Sequence, residues 1–212
     1  MSFTPINPDT WERGEYLAYF QRTAIYMTAQ VDITALYGAL KRRGLRLYPA
    51  LVYCAAAVIN HNPEFRYGYD AQRNIGLWDT LHPYYTVPRA DNPALFSMKY
   101  TAFSPDFPTF YDSFVRDYAL AGHCGRLLCD EALPQNICGI SIVPGLHYSA
   151  FSFGGSPKED FTPFTLFGRF VRDGDRITLP VSAEFSHAVN DSLHISRFFR
   201  QLEAISAQLI PD

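Results

Sequence analysis

Hydrophobic residues recur at intervals of three and four along several stretches of the chain, and this spacing predicts amphipathic helices. In the first stretch, Trp11, Leu17 and Phe20 fall on or near one helical face. Near the carboxyl end, Leu193, Leu202 and Leu209 repeat at the same period. The predicted helices cover residues 9–22, 33–43, 49–60, 108–120 and 192–209.

Two residues mark helix boundaries near the middle of the first half. Gly44 follows the basic run Lys41-Arg42-Arg43 and is expected to end the second helix. Pro49 is suited to the first position of the next helix, where its missing N–H costs nothing. Because residues 50–59 are almost all apolar, this helix is expected to be buried on most sides.

Shorter runs rich in aromatic and aliphatic residues predict strands. Asp173-Gly174-Asp175 is typical of a hairpin turn. Strands and helices alternate without regular βαβ repeats, and no linker or internal repeat divides the chain. The pattern therefore predicts a single α+β domain over residues 1–212, built as a sandwich. The predicted strands are 74–78, 84–87, 95–100, 137–143, 148–153, 164–172 and 177–185.

Composition excludes several classes of protein. The 212 residues are 48% hydrophobic, enough for a substantial core. A net charge of -3 gives no basic field for nucleic acid, and the run Lys41–Arg43 is interpreted as a solvated helix end rather than a phosphate patch. The longest apolar run is too short to cross a bilayer, and Met1–Pro8 lacks the features of a signal peptide. We therefore expect a cytoplasmic protein.

The cysteine pattern predicts reduced thiols and no metal. Cys54 lies in an apolar run and is interpreted as a core residue. Cys124, Cys129 and Cys138 follow His123, but they lack the close Cys-x2-4-Cys pair typical of structural zinc. Since nothing indicates export, disulfides are not expected either.

The candidate for chemistry is His187-x-x-x-Asp191, which lies between a predicted strand and the last helix. A histidine in an apolar strand is more often a satisfied core residue than a catalyst. The end of a strand before a helix is, however, where functional side chains commonly lie. Neutral imidazole is able to remove a proton from a hydroxyl group near pH 7.

These residues resemble the signature of the chloramphenicol acetyltransferase family, His-His-x-x-x-Asp-Gly, here Ser186-His187-Ala188-Val189-Asn190-Asp191-Ser192. Short matches occur in the family order over residues 10 to 205. They are Trp11-Glu12-Arg13, Val31-Asp32-Ile33-Thr34, Leu47-Tyr48-Pro49-Ala50, Asn62-Pro63-Glu64-Phe65-Arg66, His82-Pro83-Tyr84-Tyr85-Thr86-Val87 and Gly174-Asp175-Arg176.

The resemblance implies a two-layer sandwich on a mixed β-sheet, assembled as a homotrimer with active sites between subunits. It also implies direct acetyl transfer from acetyl-CoA to a hydroxyl acceptor in a ternary complex, with His187 as general base and no metal. Asp191 is expected to form a structural ion pair with Arg13, and His194 to be structural. Arg46 and Arg169 match basic residues that face the cofactor, although each is equally interpretable as an ordinary surface charge.

The sequence departs from the family at polar positions of the site. Ser186 and Ser192 replace a His and a Gly. Ala150 falls where the resemblance places a serine that supports the oxyanion, and neighbouring Ser149 would face the other side of a strand. Leu166 falls at a threonine position, beside Thr165. Further candidates for the acceptor pocket are Tyr26, Phe96, Phe103 and Tyr148.

Four functions remain open at this point. The first is acetylation of chloramphenicol, and the second is acetylation of a different small acceptor, which Ala150 and Leu166 favour. The third is a trimeric binding protein without turnover, which has no need for a base at His187. The fourth is the catalytic domain of a lipoyl-dependent acyltransferase, whose lipoyl and subunit-binding segments this sequence does not show.

Overall fold

The computed structural model describes residues 2–152 and 159–210. Its helices are α1 (Gly14–Phe20), α2 (Thr34–Arg43), α3 (Leu47–His61), α4 (Phe107–Gly122) and α5 (Ser192–Gln208), with a short 3₁₀ helix at Pro63–Phe65. Its strands are β1 (Phe3–Pro5), β2 (Ala24–Asp32), β3 (Tyr67–Tyr69), β4 (Ile75–Trp78), β5 (His82–Pro88), β6 (Phe96–Tyr100), β7 (Ile137–Ile142), β8 (Phe164–Phe167), β9 (Val171–Asp173) and β10 (Arg176–Ser186).

A seven-stranded mixed sheet forms one layer, in the order β2-β10-β8-β7-β5-β6, with β9 also paired to β10. The pairs β5–β7 and β7–β8 are parallel, and the other pairs are antiparallel. A second sheet of three strands has the order β1-β4-β3. The large sheet determines where the candidate site lies, because β10 runs next to its edge and ends at Ser186.

Helices α2 to α5 form the second layer on one face of the large sheet. Residues 50–59 of α3 are all buried, as their continuous apolar run predicted. They share one core with Val181, Ala183 and Phe185, which alternate along β10. The predicted two-layer α+β sandwich on a mixed sheet is confirmed. The opposite face of the sheet, which carries Ser182 and Glu184, is here called the outer face.

Helix boundaries follow the local signals closely. Gly44 ends α2 in the left-handed conformation, at φ 65°. Helix α3 begins at Leu47, so Pro49 lies in its first turn rather than at its first position. Helix α1 is shorter than predicted: the chain before it turns, and Gly14 lies so close to the carbonyl of Pro8 that a Cβ would be 2.4 Å from that oxygen.

Several strand assignments from the sequence were incomplete or wrong. Strands β1, β2 and β3 were not predicted, although β2 pairs with β10 along its whole length. The predicted strand 148–153 does not form over residues 148–152, and residue 153 lies outside the described part of the chain. The predicted strand 164–172 divides into β8 and β9. At Gly168, between them, a Cβ would lie 2.8 and 2.5 Å from side-chain atoms of Tyr148 and Pro180.

The expectation of reduced cysteines was also wrong. Cys124 and Cys129 form a disulfide, with their Cα atoms 5.8 Å apart. The expectation was based on the absence of an export signal, which says nothing about distance in the fold. Cys54 and Cys138 are free and buried. Across the described residues, helices fall short of the length and apolar character needed to span a membrane.

Candidate active site

His187 lies in the tight turn that joins β10 to α5. Its backbone N–H donates to the carbonyl of Thr23 at 2.9 Å, which extends the pairing of β10 with β2 by one residue. The N–H groups of Val189 and Asn190 both donate to the carbonyl of Ser186, at 3.2 and 2.8 Å. These bonds close the turn and fix the backbone from which the imidazole projects.

Two contacts orient the His187 imidazole. Its Nδ1 lies 3.2 Å from the backbone carbonyl oxygen of Asn190. Because a carbonyl only accepts, this contact places the proton of the neutral imidazole on Nδ1. The ring also stacks on Phe20, with centroids 3.8 Å apart and planes 30° apart. In this tautomer Nε2 carries a free lone pair, as a general base requires.

Arg13 and Asp191 fasten the His187 turn to α1. Arg13 Nη1 lies 3.5 Å from Asp191 Oδ2, and Arg13 Nε donates to the carbonyl of Ala188 at 3.1 Å. Asp191 also caps α5, where it accepts from the Leu193 N–H at 3.0 Å. Its own N–H donates to His194 Nδ1 at 3.1 Å, which completes a capping box. The contacts of Asp191 thus belong to the helix start and to Arg13.

The pKa of Asp191 is lowered from its ordinary value. Burial is the largest single influence and opposes ionisation, but it is outweighed by the charge of His194 in its protonated form, the charge of Arg13 and the backbone N–H of Leu193. Asp191 is therefore a carboxylate at neutral pH, available to hold Arg13.

A second, smaller hydrophobic cluster supports the turn that carries His187. Ala188 and Val189 are fully buried and cluster with Ile75 of β4 and Phe161. Trp11 and Leu17 pack against this cluster from the amino-terminal segment. The apolar pair inside the His187 motif thus anchors it to the three-stranded sheet.

Sequence reasoning missed three residues that hold His187: Phe20, Thr23 and Asn190. Asn190 is fully buried, and its side-chain amide donates to the carbonyl of Glu64 at 2.9 Å. It lies inside the motif, so its position was a usable signal. Phe20 and Thr23 are far from His187 in sequence, and only the pairing of β2 with β10 brings them near.

The polar candidates for the oxyanion lie in two different settings. Ser149 and Ala150 are exposed in a loop, so the alternation of a strand does not govern which way Ser149 faces. Thr165 is fully buried in β8 beside Ile140 and Ala183, and within the described residues its hydroxyl has no hydrogen-bond partner. Its neighbours place it on the helix-facing side of the sheet. Leu166 is buried on the outer face, between Ser141 and Ser182.

The aromatic candidates for the acceptor pocket are distributed over the fold. The Tyr148 hydroxyl donates to the carbonyl of Leu166 at 2.8 Å, and burial raises the pKa of this phenol. Tyr26 lies in β2 opposite Glu184 on the outer face. Phe96 begins β6 and is 47% exposed. Phe103 instead stacks on Tyr53, at the margin of the helical layer.

Arg46 and Arg169 are both exposed and lie on separate elements. Arg46 precedes α3 and borders a cavity of about 370 Å³ lined also by Tyr48, Pro49, Phe114, Val115 and Tyr118. Tyr48 is half-buried there, and its buried hydroxyl has no partner within the described residues. Arg169 follows β8, where its N–H donates to the carbonyl of Leu146 at 2.8 Å.

The outer face of the large sheet carries an open cavity of about 670 Å³. Tyr84, Thr86, Met98, Ser141 and Phe164 contribute to its wall. Phe164 is paired with Glu184, three residues before His187 on β10. Aromatic and hydroxyl groups together suit a small molecule with apolar and polar parts. Within the residues described, no cluster of three or more His, Cys, Asp or Glu side chains is placed to bind a metal.

The fold is shared with acetyltransferases of known structure. A solved chloramphenicol acetyltransferase superimposes with a TM-score of 0.81 at 19% identity, over 96% of this chain and 99% of the other. A dihydrolipoamide acetyltransferase from Azotobacter vinelandii superimposes with a TM-score of 0.66 at 17% identity, over 91% and 84% of the two chains. These likenesses define the fold.

Sequence comparison places the chain more narrowly. The family model described as chloramphenicol acetyltransferase matches residues 1–203. A chloramphenicol acetyltransferase from Staphylococcus aureus is 34% identical over 97% of this chain and 99% of its own length. Chloramphenicol acetyltransferase 2 from Escherichia coli is 31% identical over 99% and 100% of the two chains. The chain belongs to the chloramphenicol acetyltransferase family, so it is an acyltransferase enzyme and the predicted family is confirmed.

Proposed function

We propose that this enzyme transfers the acetyl group of acetyl-CoA to a hydroxyl group of chloramphenicol, with His187 as general base. The observation that carries the proposal is the contact between His187 Nδ1 and the carbonyl of Asn190. It leaves Nε2 as the basic nitrogen of an imidazole held by Phe20 and the closed turn.

In the proposed reaction, Nε2 accepts the proton of the acceptor hydroxyl as its oxygen attacks the thioester carbon. The carbonyl electrons move to an oxyanion. When the oxyanion collapses, the carbon–sulfur bond breaks and Nε2 returns the proton to the sulfur, so the products are the acetyl ester and free CoA. Transfer is direct, within a ternary complex. A donor must stabilise the oxyanion, and Ser149, in the exposed loop next to Tyr148, is the candidate.

Arg46 and Arg169 are proposed to bind the phosphates of acetyl-CoA. Both guanidinium groups lie on exposed residues, and a fork of N–H donors suits phosphate oxygens. The cavity beside Arg46 has an aromatic wall and the Tyr48 hydroxyl, which has no partner among residues 2–152 and 159–210. This lining suits a flat ring with hydrogen-bonding edges such as adenine. Since acetyl-CoA is made inside cells, we place the activity in the cytoplasm.

The active unit is proposed to be a homotrimer, with the acceptor bound between His187 of one subunit and the outer face of the next. The support is the open cavity on the outer face, with Tyr84 and Phe164 in its wall. The half-buried Tyr26 lies on the same face, two strands from Phe164. A neighbouring subunit over this face would close the cavity from water.

The second candidate is acetylation of a different small hydroxyl compound. Ala150 and Leu166 favour it, because they are apolar where the resemblance places hydroxyl groups around the transition state. Buried Leu166 offers no polar atom of its side chain to the outer face.

The deciding experiment follows free thiol release from acetyl-CoA by the purified protein, with and without chloramphenicol. Chloramphenicol-dependent release that is absent from His187→Ala supports the first candidate. Binding of acetyl-CoA without chloramphenicol-dependent release overturns it in favour of the second. A His187→Ala variant with full activity overturns the assigned base.

A further inference from the structure

Strand β6 is the last strand of the large sheet, and a loop covers its open edge. The Met98 N–H donates to the carbonyl of Leu127 at 2.6 Å, and the Cys129 N–H donates to the carbonyl of Met98 at 3.2 Å. Leu128 thereby forms a parallel bridge with Met98. The loop, residues 123–130 and here called the edge loop, satisfies backbone groups that an open edge would leave unpaired.

The disulfide closes this loop on itself. Cys124 lies two residues after the end of α4, and Cys129 follows five residues later and donates its N–H to Met98. Between them Gly125 turns the chain in the left-handed conformation, at φ 68°. Next to Cys129, the carboxylate of Asp130 pairs with Lys99 and accepts from the Tyr100 N–H at 3.3 Å. The disulfide thus restrains the part of the edge loop that contacts β6.

The four cysteines differ sharply in accessibility. Cys124 and Cys129 are half-buried, and the residues between them, 125–128, are exposed. Cys54 and Cys138 are fully buried, and burial raises the pKa of each thiol to about 12, so neither offers a thiolate near neutral pH. A small thiol in solution therefore meets one reactive sulfur pair, the one in the edge loop.

Met98 connects the edge loop to the candidate site. Its backbone is held by the loop, and its side chain lines the cavity on the outer face. Phe96, two residues earlier, begins the same strand. If the edge loop detaches from β6, Met98 and the wall of the cavity that it forms are therefore expected to move.

We propose that Cys124 and Cys129 form a thiol–disulfide exchange site for small thiols, and that the bond between them fixes the edge loop along β6. In the exchange, a dithiol such as dithiothreitol attacks the disulfide, its two thiols become a cyclic disulfide, and the protein gains two thiols. Two electrons and two protons pass from the dithiol to the cysteine pair. Reduction leaves the loop held by its hydrogen bonds alone.

The first test measures thiols and amide exchange in the purified enzyme, equilibrated with oxidised or reduced dithiothreitol. Unfolded without reductant, the oxidised protein is expected to titrate two thiols, since two of its four cysteines are in the disulfide. Reduction is expected to accelerate hydrogen exchange at the Met98 and Cys129 amides by roughly tenfold or more. Four titratable thiols after oxidation, or equal exchange in both states, overturns the proposal.

A matched variant separates the disulfide from general effects of the reductant. Cys124→Ser/Cys129→Ser is expected to exchange rapidly at Met98 in both buffers, whereas the amides of β10 are expected to be unaffected. If β10 also accelerates, the loop is not the element that responds, and the assignment fails.

An activity readout extends the test and rests on the proposed function. Reduction is expected to raise the KM for the acceptor several-fold and to leave the KM for acetyl-CoA unchanged. If both states lack transfer, the proposed function fails, while the thiol and exchange data still decide the redox site.

Discussion

At the residue scale, contacts from three parts of the chain orient the imidazole of His187 and hold its backbone. The Asn190 carbonyl sets the tautomer, the Phe20 ring sets the plane, and the Thr23 carbonyl fixes the backbone. None of these groups is charged, so they position the imidazole and leave the proposed proton transfer to the lone pair on Nε2. Asp191 contributes indirectly, through Arg13 and the start of α5.

Replacing His187 by alanine removes the proposed base and little else. We expect kcat to fall roughly 10²- to 10⁴-fold, the range attributed to general acid–base catalysis, with an unchanged melting temperature. Thiol-release kinetics and circular dichroism measure the two effects. The control is His61→Ala at the exposed end of α3, which should keep full activity. Retention of more than about a tenth of the rate by His187→Ala would show that another group is the base.

Replacing Arg13 by alanine is expected to reduce both stability and rate. Arg13 is only 14% exposed and makes a charge-assisted hydrogen bond to Ala188, whereas its partner Asp191 is 37% exposed. With that exposure discounted, the loss is about 2 kcal/mol, or roughly 4–8 °C in melting temperature.

The matched control for Arg13 is Arg22→Ala, which breaks an ion pair to Glu159 whose side chains are 54% and 67% exposed. Such a pair contributes about 1 kcal/mol or less. Equal shifts in melting temperature for the two variants would contradict a structural role specific to Arg13.

The lowered pKa of Asp191 predicts how stability depends on pH. A depressed pKa in the folded state means that the carboxylate stabilises the protein above the unfolded pKa of about 3.9, and that this contribution is lost as the pH falls through the folded value. Asp191→Asn should therefore melt below the wild type at pH 6 and approach it below about pH 4. A gap in melting temperature that is constant with pH would refute the assignment.

At the element scale, single residues at helix ends decide where elements stop. Gly44 ends α2 at φ 65°, and its N–H donates to the carbonyls of Leu40 and Lys41. A Cβ at Gly44 would meet no atom within 4 Å, so the requirement for glycine is conformational and not steric.

Two glycines of the same region give opposite predictions. Gly44→Ala should cost about 1 kcal/mol, because alanine disfavours positive φ. Gly38→Ala, inside α2, should stabilise by about 0.5–1 kcal/mol, because its new Cβ makes only an ordinary contact, 3.5 Å from the Arg42 guanidinium. Denaturant unfolding measures both. A loss of stability in Gly38→Ala would mean that α2 is more tightly packed than its geometry shows.

At the scale of the whole molecule, the two sheets make different contributions to the candidate site. The large sheet carries β10 to His187 and offers an open cavity on its outer face. The small sheet supplies Ile75, which packs with Ala188 and Val189 of the turn that carries His187. The proposed site therefore lies where the two hydrophobic clusters meet, and not inside either one.

The proposed trimer predicts complementation between inactive variants. His187→Ala lacks the base, and Ser141→Trp should fill the outer-face cavity. If each site joins two subunits, random hybrid trimers should recover about a quarter of the wild-type sites. Sedimentation and thiol-release assays on coexpressed variants measure assembly and activity. A mixture of His187→Ala with the double variant must be inactive, and inactivity of the test mixture would place each site within one subunit.

The sequence by itself determined helices α2 to α5, the fold class and the family to which the motif around His187 points. Helical periodicity needs only neighbours three and four residues away, so α2 to α5 were predictable with small errors at their ends. The apolar residues 50–59 likewise required burial wherever the helix went. His187, Asp191 and Arg13 were identifiable as candidates because they lie in short motifs that occur along the chain in the same order as in the family.

Only the tertiary structure decided which distant groups meet. Strand β2 has a mixed pattern, since it lies at the sheet edge, and its register with β10 alone brings Phe20 and Thr23 to His187. Residues 148–152, which were predicted as a strand, instead belong to a loop whose Tyr148 side chain lies against Gly168. The turn between Cys124 and Cys129 likewise brings them within bonding distance. The absence of an export signal carries no information about that distance. Local pattern encodes elements, whereas proximity across the fold depends on register and on the loops that join the elements.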